Sequence, residues 1–291
     1  MQAMTNQVPP IDDDTFHDAV RAIDRGDLDE LRRLLAAHPE LAAGRLEAPG
    51  QWLRDEIGAA LDGFFARPYL LWFVTEDVKR HGRLPPNITD IARAIVDAAK
   101  AQHAPTLQDQ LDSALALVSW SGVAADAGVQ IPLLDVLIEA GAQPANQVNN
   151  ALVNRHLAAA AHLVSRGGEL TLAAALCLDR WDDVPALAAA AGAEQRQFAL
   201  VLAALNGRAS AVKWLLDFGV PVDEPSAHLY SHGRPLHHAI CSGSLETVKT
   251  LVDAGADLDR PDTAWNGTPL GWATTRRSTR PWTCRAPCWR T

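Results

Sequence analysis

The sequence predicts an all-α chain built as a row of short helix pairs, with few or no β-hairpins. Three observations predict it. Apolar residues recur at helical spacing in short segments. Many of those segments end on a glycine, where a left-handed cap carries no Cβ penalty. The endings then return at intervals of 25 to 42 residues through most of the 291-residue chain. A pair of short helices cannot bury its apolar sides alone, so such a row must stack.

The first residues, MQAMTNQVPPIDDD, hold no basic region followed by an apolar stretch. A secretory signal is therefore not expected, and residues 1–11 read as disordered. Asp12, Asp13 and Asp14 could be imagined as a metal-binding cluster. They stand just before the first apolar helical run, where they serve as N-cap and dipole compensation. Residues Phe16 to Ala37 read as the first pair, broken at Gly26-Asp27. Residues 51–65 put Leu53, Ile57, Leu61, Phe64 and Phe65 on one helical face. We read them as an extra packing helix, with a partner-binding helix as the alternative. Residues 75–88 form a polar loop in which Pro85-Pro86 forbids helix.

Second-helix endings follow at Ala99, Gly141, Gly167, Gly192, Gly219 and Gly255, with spacings of 42, 26, 25, 27 and 36. Three of these are too short for a full repeat with a protruding finger and imply bare helix pairs. The best-kept copy is GRPLHHAICSGSLETVKTLVDAGADLD, residues 233–259. Pro235 suits the first helical turn. Leu236, Ala239 and Ile240 make the apolar side of a first helix that Gly243 ends. Leu245, Val248, Leu251 and Val252 recur on a second helix that Gly255 closes.

This segment resembles the ankyrin consensus, in which TPLHxA opens the first helix and a GA[DN] turn follows the second. Arg234 stands where threonine is expected, losing an N-cap hydroxyl worth about 1 kcal/mol. The next copy restores it in Gly267-Thr268-Pro269-Leu270-Gly271-Trp272-Ala273, 34 residues after Gly233. The resemblance covers residues 195–275 and implies an ankyrin-type α-solenoid of about seven helix-pair units, taken as a single domain over 12–275. Beyond Thr275 the pattern stops. Residues 276–291 carry clustered Arg, Pro, Trp and Cys without helical periodicity. We read them as a disordered tail, either native or the product of a frameshift that replaces the true end. A row lacking its last helix leaves the Leu245, Val248, Leu251 and Val252 face partly uncovered, with fraying expected from about residue 265 onward.

The chain is acidic at net −9, and more so without the tail: Arg276, Arg277, Arg280, Arg285 and Arg290 stand there with no acid, so the rest has 21 bases against 35 acids, a net of −14. Such a body repels phosphate backbones, which speaks against nucleic acid. No run approaches the ~18 apolar residues of a membrane span. Cys177, Cys241, Cys284 and Cys288 form no disulfide framework by spacing, which fits a reducing cytoplasm. Alanine and arginine usage resembles that of a GC-rich bacterial genome.

Phosphate-loop, dinucleotide, nucleophile-elbow and HExxH motifs are absent from the sequence. His228, His232, His237, His238 and Cys241 offer five possible zinc ligands within fourteen residues. Three of them share one short helix and would not converge on a tetrahedral ion. His237 falls on the ankyrin histidine, whose role by resemblance is to bond within and between repeats. No metal or cofactor is expected.

The resemblance implies a non-catalytic scaffold or adaptor that binds another protein through finger loops and the concave first-helix side. The loops 223–233 and 259–267 correspond to the fingers. Tyr230 and Trp265 are the expected anchors, with Asp223, Glu224, Arg234, Asp259, Arg260 and Asp262 as the charged rim. Two alternatives stay open. One is an antitoxin-like or immunity-like inhibitor of a basic protein, compatible with the acidic body. The other is an enzyme with a pocket at Glu76, His81 and Arg83 in the 75–88 loop.

Overall fold

A computed structural model describes residues 10–227 and 231–275. Among them all regular structure is helical and no strand occurs. Of the disorder expected for residues 1–11 and 276–291, residues 1–9 and 276–291 lie outside the described residues. The chain divides into two compact units, one running to Gln147 with Ser165–Gly168 added, the other comprising Val148–Val164 and the residues from Glu169 onward.

The first unit opens with α1 (Asp13–Arg25) and α2 (Leu28–Ala37). Asp12 is the N-cap of α1, accepting the Thr15 N–H at 3.0 Å. Gly26 ends the helix at φ 71°, and Asp27 caps α2 through the Glu30 N–H. Helices α3 (Glu40–Ala43) and α4 (Gln51–Ile57) follow. The continuous helix expected over 51–65 stops at Gly58, whose φ of 56° and ψ of −130° leave the helical region. Two 3-10 turns, Gly58–Asp62 and Phe64–Ala66, complete the segment. Leu53, Ile57, Leu61 and Phe65 are buried and Phe64 stacks on Trp72 at 4.4 Å. The segment therefore packs, as the first of its two readings expects. A third 3-10 turn, Leu70–Val74, then leads through the 75–88 loop to α5 (Ile88–Ala101), α6 (Leu107–Trp120), α7 (Gly122–Asp126) and α8 (Gln130–Ala140).

Two layers result. Helix α1, the Leu70–Val74 turn and α6 pack in succession, and α2, α5 and α8 pack beside one another. The Leu70–Val74 turn is thus the first member of a pair completed by α5, with the long loop inserted between its halves.

The second unit holds α9 (Val148–Val153), α10 (Leu157–Ser165), α11 (Leu172–Cys177), α12 (Val184–Ala190), α13 (Ala193–Leu205), α14 (Ala209–Asp217), α15 (Pro235–Ser242), α16 (Leu245–Asp253) and α17 (Pro269–Thr275). Helices α9, α11, α13, α15 and α17 pack in order, and α14 packs on α16. Helix α13 has neighbours on both sides and its own partner α14 behind it. That is why the run Ala199–Leu205 is buried at every position. Alanines let the helices approach closely, while each buried leucine contributes about 1.5–3 kcal/mol. The second helices α2, α5, α8, α10, α12, α14 and α16 end within two residues of the positions marked in the sequence. Cys177, buried on α11, has its thiol pushed up to about 12 by desolvation. Cys241 is disulfide-bonded, a pairing that the cysteine spacing does not suggest.

Candidate functional site

The fingers of the second unit are the loop after α14 and the loop between α16 and α17. The first is fixed from below. Gln197 on α13 donates through Nε2 to the carbonyls of Pro221 and Glu224, and a guanidinium N–H of Arg234 donates to the Asp223 carbonyl. The Asp223 carboxylate accepts the N–H of Asp257 at 3.1 Å, tying one finger to the next. His237, the second residue after Pro235, makes the same kind of link. Its Nδ1 accepts the Arg234 N–H at 3.3 Å, and its Nε2 lies 3.1 Å from the Gly267 carbonyl. That arrangement places the proton on Nε2, which donates to Gly267. Burial lowers the pKa of His237, against the raising effects of the Gly267 bond and Asp262. The role expected for this histidine, bonding within and between repeats, is the one it has.

The second finger is organised by Asp262, which is 3% exposed. Its Oδ1 accepts the N–H groups of Ala264 (2.8 Å) and Trp265 (2.7 Å), and its Oδ2 those of Gly267 (2.9 Å) and the Trp272 indole (2.9 Å). Burial by itself would raise this carboxyl's pKa, but the four donors outweigh it and the pKa is lowered. A Cβ at Gly267 would lie 2.9 Å from both Asp262 Oδ2 and Trp272 Nε1, so only glycine allows this closure. The Thr263 N–H donates to the His232 carbonyl at 2.9 Å and closes the two loops together.

On this base Trp265 stands 53% exposed and Leu258 52% exposed. Trp265 meets the His232 ring edge-on at 4.8 Å and the Trp272 ring at 6.0 Å. Its indole is therefore braced on one side and open on the other. Glu224, Asp259 and Arg260 are exposed, as a charged rim requires. Three predicted rim residues lie elsewhere. Asp262 is turned into its own loop, where the backbone amides consume its carboxylate. Arg234 is half-buried and reaches inward to Asp223, and Asp223 is itself half-buried and engaged by Asp257. Tyr230 lies outside the described residues.

The 75–88 loop does not assemble the pocket imagined from Glu76, His81 and Arg83. Glu76 is buried, and its Oε2 accepts the N–H groups of Arg80, His81 and Gly82 at 2.9–3.0 Å. The buried partner is Arg80, whose guanidinium pairs with Asp24 (2.6 Å), Glu76 (3.1 Å) and Glu56 (3.4 Å) and lies over the Phe73 ring. Desolvation lowers the Arg80 pKa, and the hydrogen bond and charge of Asp24 lead the opposing effects that leave it raised. His81 sits at the margin, 3.3 Å from Asp24, and Arg83 is on the surface. The sequence reading missed Arg80 and the inward role of Asp262. The signals were present: a Glu–Arg pair at i,i+4 spacing, and an aspartate three residues before Trp265 in a loop closed by Asn-Gly.

With that geometry in view, the family comparison is decisive for one part of the chain. A family model described as ankyrin repeats, in three copies, matches residues 162–262. Residues 162–262 are ankyrin repeats. Among solved structures, the chain is similar to the crystal structure of the human ASB11 ankyrin repeat domain, at 21% identity over 65% of this chain and 91% of that one. The TM-score is 0.32, too low to bear on fold or function. A search of curated proteins finds no match. The match begins within α10 and ends at Asp262, so the first finger and the start of the second fall inside it, while Trp265, Gly267 and Trp272 stand just beyond it. Ankyrin repeats are a protein-interaction module, and the exposed Trp265 and Leu258 stand on the loops such repeats project.

Proposed function

We propose that this chain is a non-catalytic adaptor that holds another protein against the finger loops and first helices of its ankyrin segment. The observation that carries the reading is a braced, half-exposed Trp265 on a loop fixed by four hydrogen bonds. A large aromatic held rigid loses little conformational entropy on binding, which is why tryptophan is enriched at interface hot spots. Glu224, Asp259 and Arg260 supply the polar edge, and Tyr230 remains a proposed second anchor. The acidic body favours a protein partner over nucleic acid, and a cytoplasmic setting is part of the same proposal. Among the described residues no helix is long and apolar enough to cross a membrane.

Immobilised protein and its Trp265→Ala variant, each checked for native circular dichroism, would be exposed to extract from the source organism. A partner retained by the parent and lost by the variant is the expected result. Equal retention by both would show that this loop is not the contact.

A further inference from the structure

The last described repeat repeats the residue types of its inner neighbour but not their burial. Leu270 on α17 stands 34 residues after Leu236 on α15, in the same position of the repeat. Leu236 is 1% exposed, within a helix that has α13 on one side and α17 on the other, whereas Leu270 is 69% exposed. Leu245 at the start of α16 corresponds to Ala209 at the start of α14. Ala209 is 8% exposed and Leu245 is 73% exposed. Asp259 corresponds to Asp223, whose carboxylate accepts an amide of the following finger, while Asp259 is exposed. Gly271 stands where His237 reaches forward to the next loop. The end of the unit therefore keeps the apolar and acceptor groups with which one repeat receives the next. Only the forward-bonding histidine is missing.

We infer that this end face receives an amphipathic helical segment of another protein, apolar on one side and rich in Lys or Arg along its flanks. Helical form follows from the row itself, since the counterparts of Leu270 and Leu245 lie on helices packed by further helices. Basic flanks follow from charge: α16 and the loop that follows it expose Glu246, Asp253, Asp257 and Asp259 against Lys249 and Arg260. The inference rests on the reading of the ankyrin segment as a protein-binding module, and it adds the place and the chemistry of the partner.

The test is fluorescence anisotropy of a labelled Leu/Lys amphipathic helical peptide titrated with the full chain, beside a Leu/Glu peptide of the same pattern. Binding of the basic peptide alone, weakened by salt, and weakened about tenfold or more by Leu270→Asp or Leu245→Asp, is expected. Should those variants unfold, Glu246→Lys with Asp253→Lys replaces them, and the same loss is expected. Loss with Trp265→Ala but not with the end-face variants would keep the finger reading and overturn this one. Loss with the end-face variants alone supports this face and moves the partner off Trp265. Equal binding of both peptides, or none lost in any variant, overturns the inference. So does a concentration-dependent dimer abolished by Leu270→Asp, which makes a second copy the occupant. Peptide bound by a chain ending at Thr275 but not by the full chain does likewise, making the occupant residues 276–291.

Discussion

Replacing Asp262 by alanine tests whether the second finger is shaped by one carboxylate. The substitution removes an acceptor from three backbone amides and one indole, all within 2.7–2.9 Å. Hydrogen bonds to a charged group contribute about 1.5–3 kcal/mol each, but four donors on one acceptor are coupled, and in a surface loop they regain water on opening. The expected cost is therefore about 2–4 kcal/mol to the end of the second unit, well below the simple sum. Asp262→Asn keeps an acceptor for Ala264 and Trp265 and turns its amide against the Gly267 and Trp272 donors, so its loss falls short of alanine's. The pH dependence has a definite sign. The folded pKa is lowered from an unfolded value near 3.9, so the stabilisation is complete above that value. It is lost as pH falls through the folded pKa. Hydrogen exchange over residues 255–275, between pH 3 and 7, reads this directly. Unchanged protection at Trp265, Gly267 and Trp272 in Asp262→Ala would refute the reasoning. In the parent chain the Asp262 bonds should hold the loop and move the fraying expected from residue 265 into α17.

Two further substitutions probe other parts of the molecule. Arg80→Met should destabilise the first unit by about 3–5 kcal/mol, because it leaves Asp24, Glu56 and Glu76 around a site with no cation; urea denaturation followed by circular dichroism measures it, and a loss below 1 kcal/mol would mean the cluster is solvated. His237→Ala should cost about 1–3 kcal/mol through its two hydrogen bonds. The pKa values of His237 and His232 are both lowered chiefly by burial. The fold thus prefers the neutral rings, and stability falls as pH drops through their unfolded value near 6.5. Urea titrations at pH 5 and 7.5 should show a smaller difference in His237→Ala than in the parent, and an equal difference would assign that pH response elsewhere.

Helix pairs were legible in the sequence because glycine caps and apolar periodicity are local properties. The seven second helices end within two residues of the marked positions for that reason, and His237 was legible because its neighbours Pro235 and Leu236 fix its place in the turn. What failed was orientation. Asp223, Arg234 and Asp262 are charged residues in loops, and charge in a loop predicts exposure. Their true direction depends on backbone N–H and carbonyl groups brought within reach by the loop's closure, which no periodicity encodes. The break at Gly58 was missed for a related reason: five apolar residues at helical spacing outweighed a single glycine, which turns the chain at a φ of 56°. Arg80 was hidden because two of its three partners, Asp24 and Glu56, are distant in sequence, although Glu76 at i−4 was in plain view.

The short middle pairs and the long end pairs are held by different devices, and the difference bears on where a partner can bind. Pairs α9/α10 and α11/α12 follow spacings too short to project a finger, and their polar stitches lie at helix ends and turns. Thr171 caps α11 and bonds Asn149 at 2.9 Å, Asn206 donates to the Leu152 carbonyl at 3.0 Å, and Arg155 reaches the Cys241 carbonyl at 2.8 Å. The end pairs, with spacings near 34, are stitched instead through finger backbone by Asp223, His237 and Asp262. A finger that is locked to its neighbour by buried polar groups can present Trp265 and Leu258 without collapsing onto them, because its own backbone bonds are already satisfied. The middle pairs have no such projecting loop to offer. A partner that needs both shape and an aromatic anchor therefore finds them where the repeats are longest, at the end of the row that also leaves Leu245 and Leu270 open.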